Sequence, residues 1–167
     1  MKKNFLFVVL FAALFTISCD KEQKDDPKQK GYVFYDICHT WGASKDDVAA
    51  YVDKMGGWKK DNDLSTDSEI YYSRKGSDTQ MSYTFGKDGL EESEITYYCP
   101  TKYFDTFKTD ISTKYGITEW KEYPEMQGVT WYNTSIKESS TNLSIGWSGS
   151  YGIEYFYADF SYDPYIF

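Results

Sequence analysis

The sequence predicts an α+β fold: a duplicated α-β-β-β unit whose antiparallel sheet of about six strands carries two helices on one face. Three observations lead there. Two helical patterns are each followed by stretches of strict period-2 alternation. Within those stretches one side is apolar and the other polar, as in an antiparallel sheet covered by helices on a single face. The whole pattern then recurs at an offset of about 60 residues, the mark of an internal repeat.

Composition bounds the rest. The chain has 167 residues, 26 Asp+Glu against 18 Lys+Arg, one His and a net charge of −8. That length suits one domain. A negative field argues against nucleic acid or an anionic membrane surface as partner. Aromatic residues make up 20%, 17 of them Tyr, and this much apolar mass excludes a disordered acidic chain.

The elements follow in order. Met1-Lys2-Lys3-Asn4 is a cationic start, and residues 5–17 are apolar apart from Thr16. Thirteen residues fall short of the ~20 needed to span a bilayer and fit a signal-peptide core. Residues 19–30, running through DKEQKDDPKQK after Cys19, hold no apolar side chain beyond Pro27 and read as a solvated tether. The globular domain is then 31–167, with repeats at about 38–98 and 99–167.

A first helix is expected over 44–55: Ser44 caps it, Asp47 completes a capping box, Val48, Tyr51, Val52 and Met55 share a face, and Gly56-Gly57 ends it. A second runs over 101–115, with Phe104, Phe107, Ile111 and Tyr115 on one face, Pro100 just before it and Gly116 after it. Strand residues Met81, Tyr83 and Phe85 line up with Leu143, Ile145 and Trp147, and residues 70–73 correspond to 129–133. The last strand, over 153–162, turns Phe156, Ala158 and Phe160 inward and leaves Tyr155 and Tyr157 on the open face.

Thr16-Ile17-Ser18-Cys19 resembles a bacterial lipoprotein signal, with Thr16 where Leu is commoner. That resemblance implies cleavage before Cys19 and acylation of its thiol, with palmitate among the chains. Lys2 and Lys3 leave with the signal, so the processed chain carries 16 basic and 26 acidic side chains, net −10. Asp20, Glu22, Asp25 and Asp26 resemble the acidic signal that sends some lipoproteins to the outer face of the outer membrane; a charged linker with no address is the other reading. The stretch Gly42-Ala43-Ser44-Lys45-Asp46-Asp47-Val48, ending in Met55-Gly56, is similar to the helix start of small outer-membrane assembly lipoproteins. The tandem helix-plus-sheet build resembles that of β-lactamase inhibitor proteins. Both imply a module that grips another protein without catalysis.

Chemistry-bearing residues are few. Cys38 and Cys99 remain once Cys19 is acylated, and two outcomes stand open for them, a disulfide or two free thiols. His39 is adjacent to Cys38, but neighbours on an extended segment point apart, which disfavours a Cys-His nucleophile. Cys38, His39 and Cys99 lack a fourth ligand and zinc spacing. The stretch from Asp61 to Glu69 alternates oxygen ligands but has Thr66 and Tyr72 where a calcium loop needs Gly and Glu, so a solvated loop is expected. Glu91, Glu92 and Glu94 have no second acid placed opposite them by the sequence. No metal, cofactor or enzymatic activity is expected. The open sheet face, with Tyr155 and Tyr157 joined by Tyr132 among hydroxyls, suits a protein partner or, alternatively, a glycan. The sequence therefore reads as a lipid-anchored outer-membrane protein, displayed at the cell surface, that binds through this face.

Overall fold

A computed structural model describes residues 32–126, 128–149 and 152–166; the signal, Cys19 and the tether lie outside them. Helix α1 (Lys45–Met55) begins where its capping box closes: Asp47 N–H donates to the Ser44 hydroxyl while the Asp47 carboxylate accepts from Ser44 N at 3.2 Å and Oγ at 2.7 Å. Two orphan donors of the first turn are satisfied at once. Four strands follow: β1 (Trp58–Asp61), β2 (Glu69–Arg74), β3 (Thr79–Gly86) and β4 (Gly89–Tyr97).

A 3-10 turn over Thr101–Tyr103 then leads into α2 (Phe104–Tyr115), which Gly116 ends in the left-handed conformation. No neighbouring side chain caps this second start. Glu154 reaches it from elsewhere in the chain and accepts from Thr101 N at 2.6 Å and Thr101 Oγ1 at 2.8 Å. The remaining strands are β5 (Lys121–Met126), β6 (Val129–Ile136), β7 (Thr141–Ser148) and β8 (Tyr155–Tyr162).

The fold is α+β with one antiparallel sheet in the order β1-β2-β3-β4-β8-β7-β6-β5. Read inward from either edge, each half is a four-strand meander behind its own helix, and the halves join at the β4–β8 pair. This corrects the expected six strands to eight, with one helix and four strands in each half. The two additions, β1 and β5, are the sheet edges. Trp58-Lys59-Lys60-Asp61 is short and charged, and β5 contains Pro124 beside a register shift between Tyr123 and Met126. Such features blunt an edge against further pairing and erase the alternation by which a strand is recognised.

One sheet face builds the core. Met81, Tyr83, Ile95, Tyr97, Leu143, Ile145, Phe156, Ala158 and Phe160 are buried there with Val48 and Val52 of α1 and Phe104, Phe107 and Ile111 of α2. Between the helices runs a strap, residues 32–43. Tyr35 N donates to the Tyr97 hydroxyl at 3.2 Å, the Ser93 hydroxyl donates to Cys38 O at 2.6 Å, and Gly42 N donates to Leu90 O at 3.0 Å. The strap thus descends β4 in the antiparallel sense. At its lower end Gly42 (φ +77°) and Gly89 (φ +108°) meet so closely that a Cβ on Gly89 would lie 2.3 Å from Gly42 O.

Asp36 ties the strap to both helices. Its carbonyl accepts from the Tyr51 hydroxyl of α1 at 2.9 Å, while its carboxylate accepts from the Tyr115 hydroxyl of α2 at 2.6 Å and pairs with Lys114 at 2.8 Å. Burial first, and then the bond to Asp36, hold the Tyr115 proton far above the usual phenol range. Beside it Ile37 is 1% exposed, whereas Val33 on the same strap is 52% exposed. Truncating the first should therefore cost what a core cavity costs. Ile37→Ala is expected to destabilise by about 2–4 kcal/mol in urea unfolding, and Val33→Ala by less than ~0.5 kcal/mol; equal effects would mean that the strap is not part of the core.

Candidate functional site

Among the described residues no helix lies over the other sheet face, and strand register decides which side chains meet there. Along the central β4–β8 pair the cross-strand partners are Thr96 with Tyr157, Glu94 with Asp159, and Glu92 with Ser161. One step beyond, Tyr98 approaches Tyr155 with ring centroids 6.1 Å apart. Aromatic rings therefore occupy one end of the pair and carboxylates the other.

Flanking strands extend both kinds. On β7, Gly146 lies opposite Tyr157, and a Cβ there would come within 2.8 Å of the tyrosine ring. Glycine is what lets that ring lie across β7. Further out, Trp131 of β6 stacks on Tyr123 of β5 at 4.0 Å and 8°. On the acidic side Asn133 Nδ2 donates to Asn142 Oδ1 at 2.9 Å and Ser144 Oγ at 3.0 Å. Toward β2 the Tyr71 hydroxyl donates to Glu69 at 2.5 Å, and this bond leads the causes that push Tyr71 up to about 12.

Electrostatics single out Asp159. Its Oδ1 is buried without a hydrogen-bond partner. Burial first, then the charges of Glu92 and Glu94, raise its carboxyl from the usual 3.8 to about 7. Glu92 is itself raised, by burial and then by Glu94. Like charges directly opposite across strands destabilise a sheet. Either a proton or an arriving cation relieves this group.

The sequence-predicted residues sort as follows. Tyr155 and Tyr157 lie on the open face as expected. Tyr132 does not: it pairs with Ile145, stacks on Phe104 at 5.9 Å and has Lys108 3.3 Å above its ring, all on the helical side. Residues 131 and 132 are both large aromatics, so alternation alone leaves their phase open, and register with β7 assigns Trp131 to the open face instead.

Cys38 and Cys99 are free thiols rather than a disulfide. Cys38 sits beside Ser93, in the middle of β4, while Cys99 lies beyond its end. Six residues of near-extended chain separate those levels by roughly 15–20 Å, where a bridge needs Cα atoms within ~7 Å. Burial, then Glu154, pushes the Cys99 thiol up to about 11, away from nucleophilic use. His39 Nδ1 donates to Ile37 O at 2.9 Å, and its ring lies against Phe160 and Tyr115.

In the Asp61 to Glu69 loop the oxygens are spent locally. Asp61 Oδ1 accepts from Asp63 N and Leu64 N, and Thr66 Oγ1 from Ser68 N and Glu69 N. Among the described residues no group of three His, Cys, Asp or Glu could hold a metal ion. A cleft of about 360 Å³ on the helical side is lined by Trp41, Asp47, Tyr51 and Lys54 among others, with Asp47 committed to the helix cap and Tyr51 to Asp36.

Sequence reasoning missed Asp159, Gly146, Trp131 and Tyr123. The first faces Glu94 only through a pairing of strands 65 residues apart, and the missing element was strand order. Comparison with protein-family models, curated proteins and solved structures gives no match. The class is therefore defined by geometry: an α+β domain with a single eight-stranded antiparallel sheet and a polar, aromatic open face.

A folded-state carboxyl raised above its unfolded value is stabilising while protonated and loses that advantage as pH rises from about 4 to about 7. Asp159→Asn removes the charge and keeps the shape. In thermal melts it should gain roughly 1–3 kcal/mol at pH 8 and close to nothing at pH 4.5; a gain independent of pH would refute the assignment.

Proposed function

We propose that the chain is a lipid-anchored protein of the cell envelope that binds a protein partner through the open face of its sheet and performs no catalysis. The observation that carries this is the open face itself: Tyr155, Tyr157, Trp131 and Tyr123 share it with Glu92, Glu94 and Asp159, in register on strands held rigid from behind. Aromatic anchors beside polar groups on a rigid support are what interface hot spots use. The mirrored strand order is in keeping with duplication of one helix-plus-sheet unit.

Attachment rests on the sequence: Lys2, Lys3, the apolar run over 5–17 and Ser18-Cys19 point to acylation of Cys19. Asp20, Glu22, Asp25 and Asp26 support display at the outer membrane, facing outward. Among the described residues no helix is long and apolar enough to cross a membrane.

A second reading, glycan capture at the same face, is favoured by one observation. Tyr157 laid over Gly146 and the Trp131–Tyr123 stack resemble the ring platforms on which sugars pack.

A photo-cross-linking residue placed at Tyr155 or Ser144 in intact cells should give discrete protein adducts that the same residue at Thr109, on α2, does not. Equal or absent adducts from both sides would reject the interface. In the same cells Cys19→Ala should move the protein out of the membrane fraction, and retention would reject the anchor. Binding to a glycan array abolished by Tyr157→Ala and Trp131→Ala would favour the second reading.

A further inference from the structure

We propose that the open face takes a basic segment of its partner, with an arginine or lysine side chain seated against Asp159, Glu94 and Glu92 and its stem along Tyr157. This rests on the open-face reading and adds the chemistry of what binds there.

Charge distribution is the first argument. The four central strands, β3, β4, β8 and β7, carry Glu91, Glu92, Glu94 and Asp159 and not one Lys or Arg. The basic residues that share the face, Lys59 and Lys121, stand on the two edge strands. Each edge is three strands from the central pair, about 14 Å at the usual strand spacing, and Lys121 Nζ is drawn instead to the Tyr123 ring at 4.7 Å. The ion pair among the described residues, Lys114 with Asp36, is on the other side of the sheet. Among the described residues no Lys or Arg forms an ion pair with these carboxylates.

Geometry is the second. Glu94 is directly opposite Asp159 and Glu92 is diagonal to it, so the three residues are neighbours on one face of a single strand pair. Asp159 Oδ1 is buried and has no donor among the described residues, while Asp159 as a whole is only half-buried and so is reachable from the open face. A guanidinium supplies donors in a fork that meets two carboxylates at once, and its methylene stem packs along an aromatic ring. Tyr157 is the next residue up the same face of β8, with Tyr155 and Tyr98 beyond it. A metal ion suits the site less, since these acids do not form a three-ligand cluster.

Cation and proton compete for the same group. Asp159 is faced by Glu94 and Glu92 from β4, by Ser144 from β7, and by Tyr157 and Ser161 along its own strand. With its carboxyl raised to about 7, binding should release a proton near neutrality and weaken as pH falls below that value.

The test uses the full chain and two fluorescent octapeptides, one alternating Arg and Gly, the other citrulline and Gly. By anisotropy the arginine peptide should bind at least ~10-fold tighter than its neutral analogue. The pair Glu94→Gln and Asp159→Asn should weaken it ~10-fold, while Asp46→Asn and Asp53→Asn, which remove the same charge from exposed positions on α1, should change it less than ~2-fold. Equal losses from the two pairs, equal binding of the two peptides, or no binding would each overturn the proposal. Melting curves verify that both double variants are folded, and Glu94→Gln alone serves if the pair is not. Failed peptide binding alongside face-specific cross-links removes the charge chemistry and leaves the interface standing; loss of the cross-links removes both.

Discussion

The architecture depends on how the strap, residues 32–43, fills the groove between two helices laid on one sheet. Two helix-plus-sheet halves joined edge to edge leave their helices side by side over the joint, and the floor of that gap is the apolar face of β4 and β8. The strap occupies it, with Ile37 and Cys38 in the core and Tyr32 set edge-on against Tyr97, Phe107 and Phe156. Its backbone groups bond down β4 and its one carboxylate, on Asp36, engages α2 while the Asp36 carbonyl engages α1. A segment with little regular structure of its own thereby connects both helices to the sheet.

Closing one side so fully decides what the other side can be. Side chains alternate along β4 and β8, so the residues that precede the buried Ser93, Ile95 and Tyr97 must face outward, and those are Glu92, Glu94 and Thr96. Their partners are set in the same way by Phe156, Ala158 and Phe160. The meeting of Glu94 and Asp159 is therefore a consequence of core register, not of any local preference, and its electrostatic strain is held by apolar packing on the opposite face.

This also explains what could be read from the chain. Helix limits, caps and the inward sets of β3, β7 and β8 were legible because each is written in neighbouring residues: Ser44 and Asp47, Gly116, Met81-Tyr83-Phe85. The edges were not, since Lys59, Lys60 and Pro124 are chosen against pairing rather than for it. Tyr132 was misplaced because Trp131 beside it fits either face equally well. Asp159 escaped notice for a different reason, as its significance comes from a residue 65 positions earlier that only strand order brings across.

The strap has a mechanical consequence. It enters beside Tyr97 and leaves beside Leu90, so tension applied at residue 32 draws it lengthwise over β4 instead of lifting it away bond by bond. The bonds at Tyr35, Asp36, Cys38 and Gly42 then share the load in parallel, with the aromatic cluster around Tyr32 resisting first. A domain pulled from its amino end is in this way loaded in shear, the direction in which a packed sheet yields last.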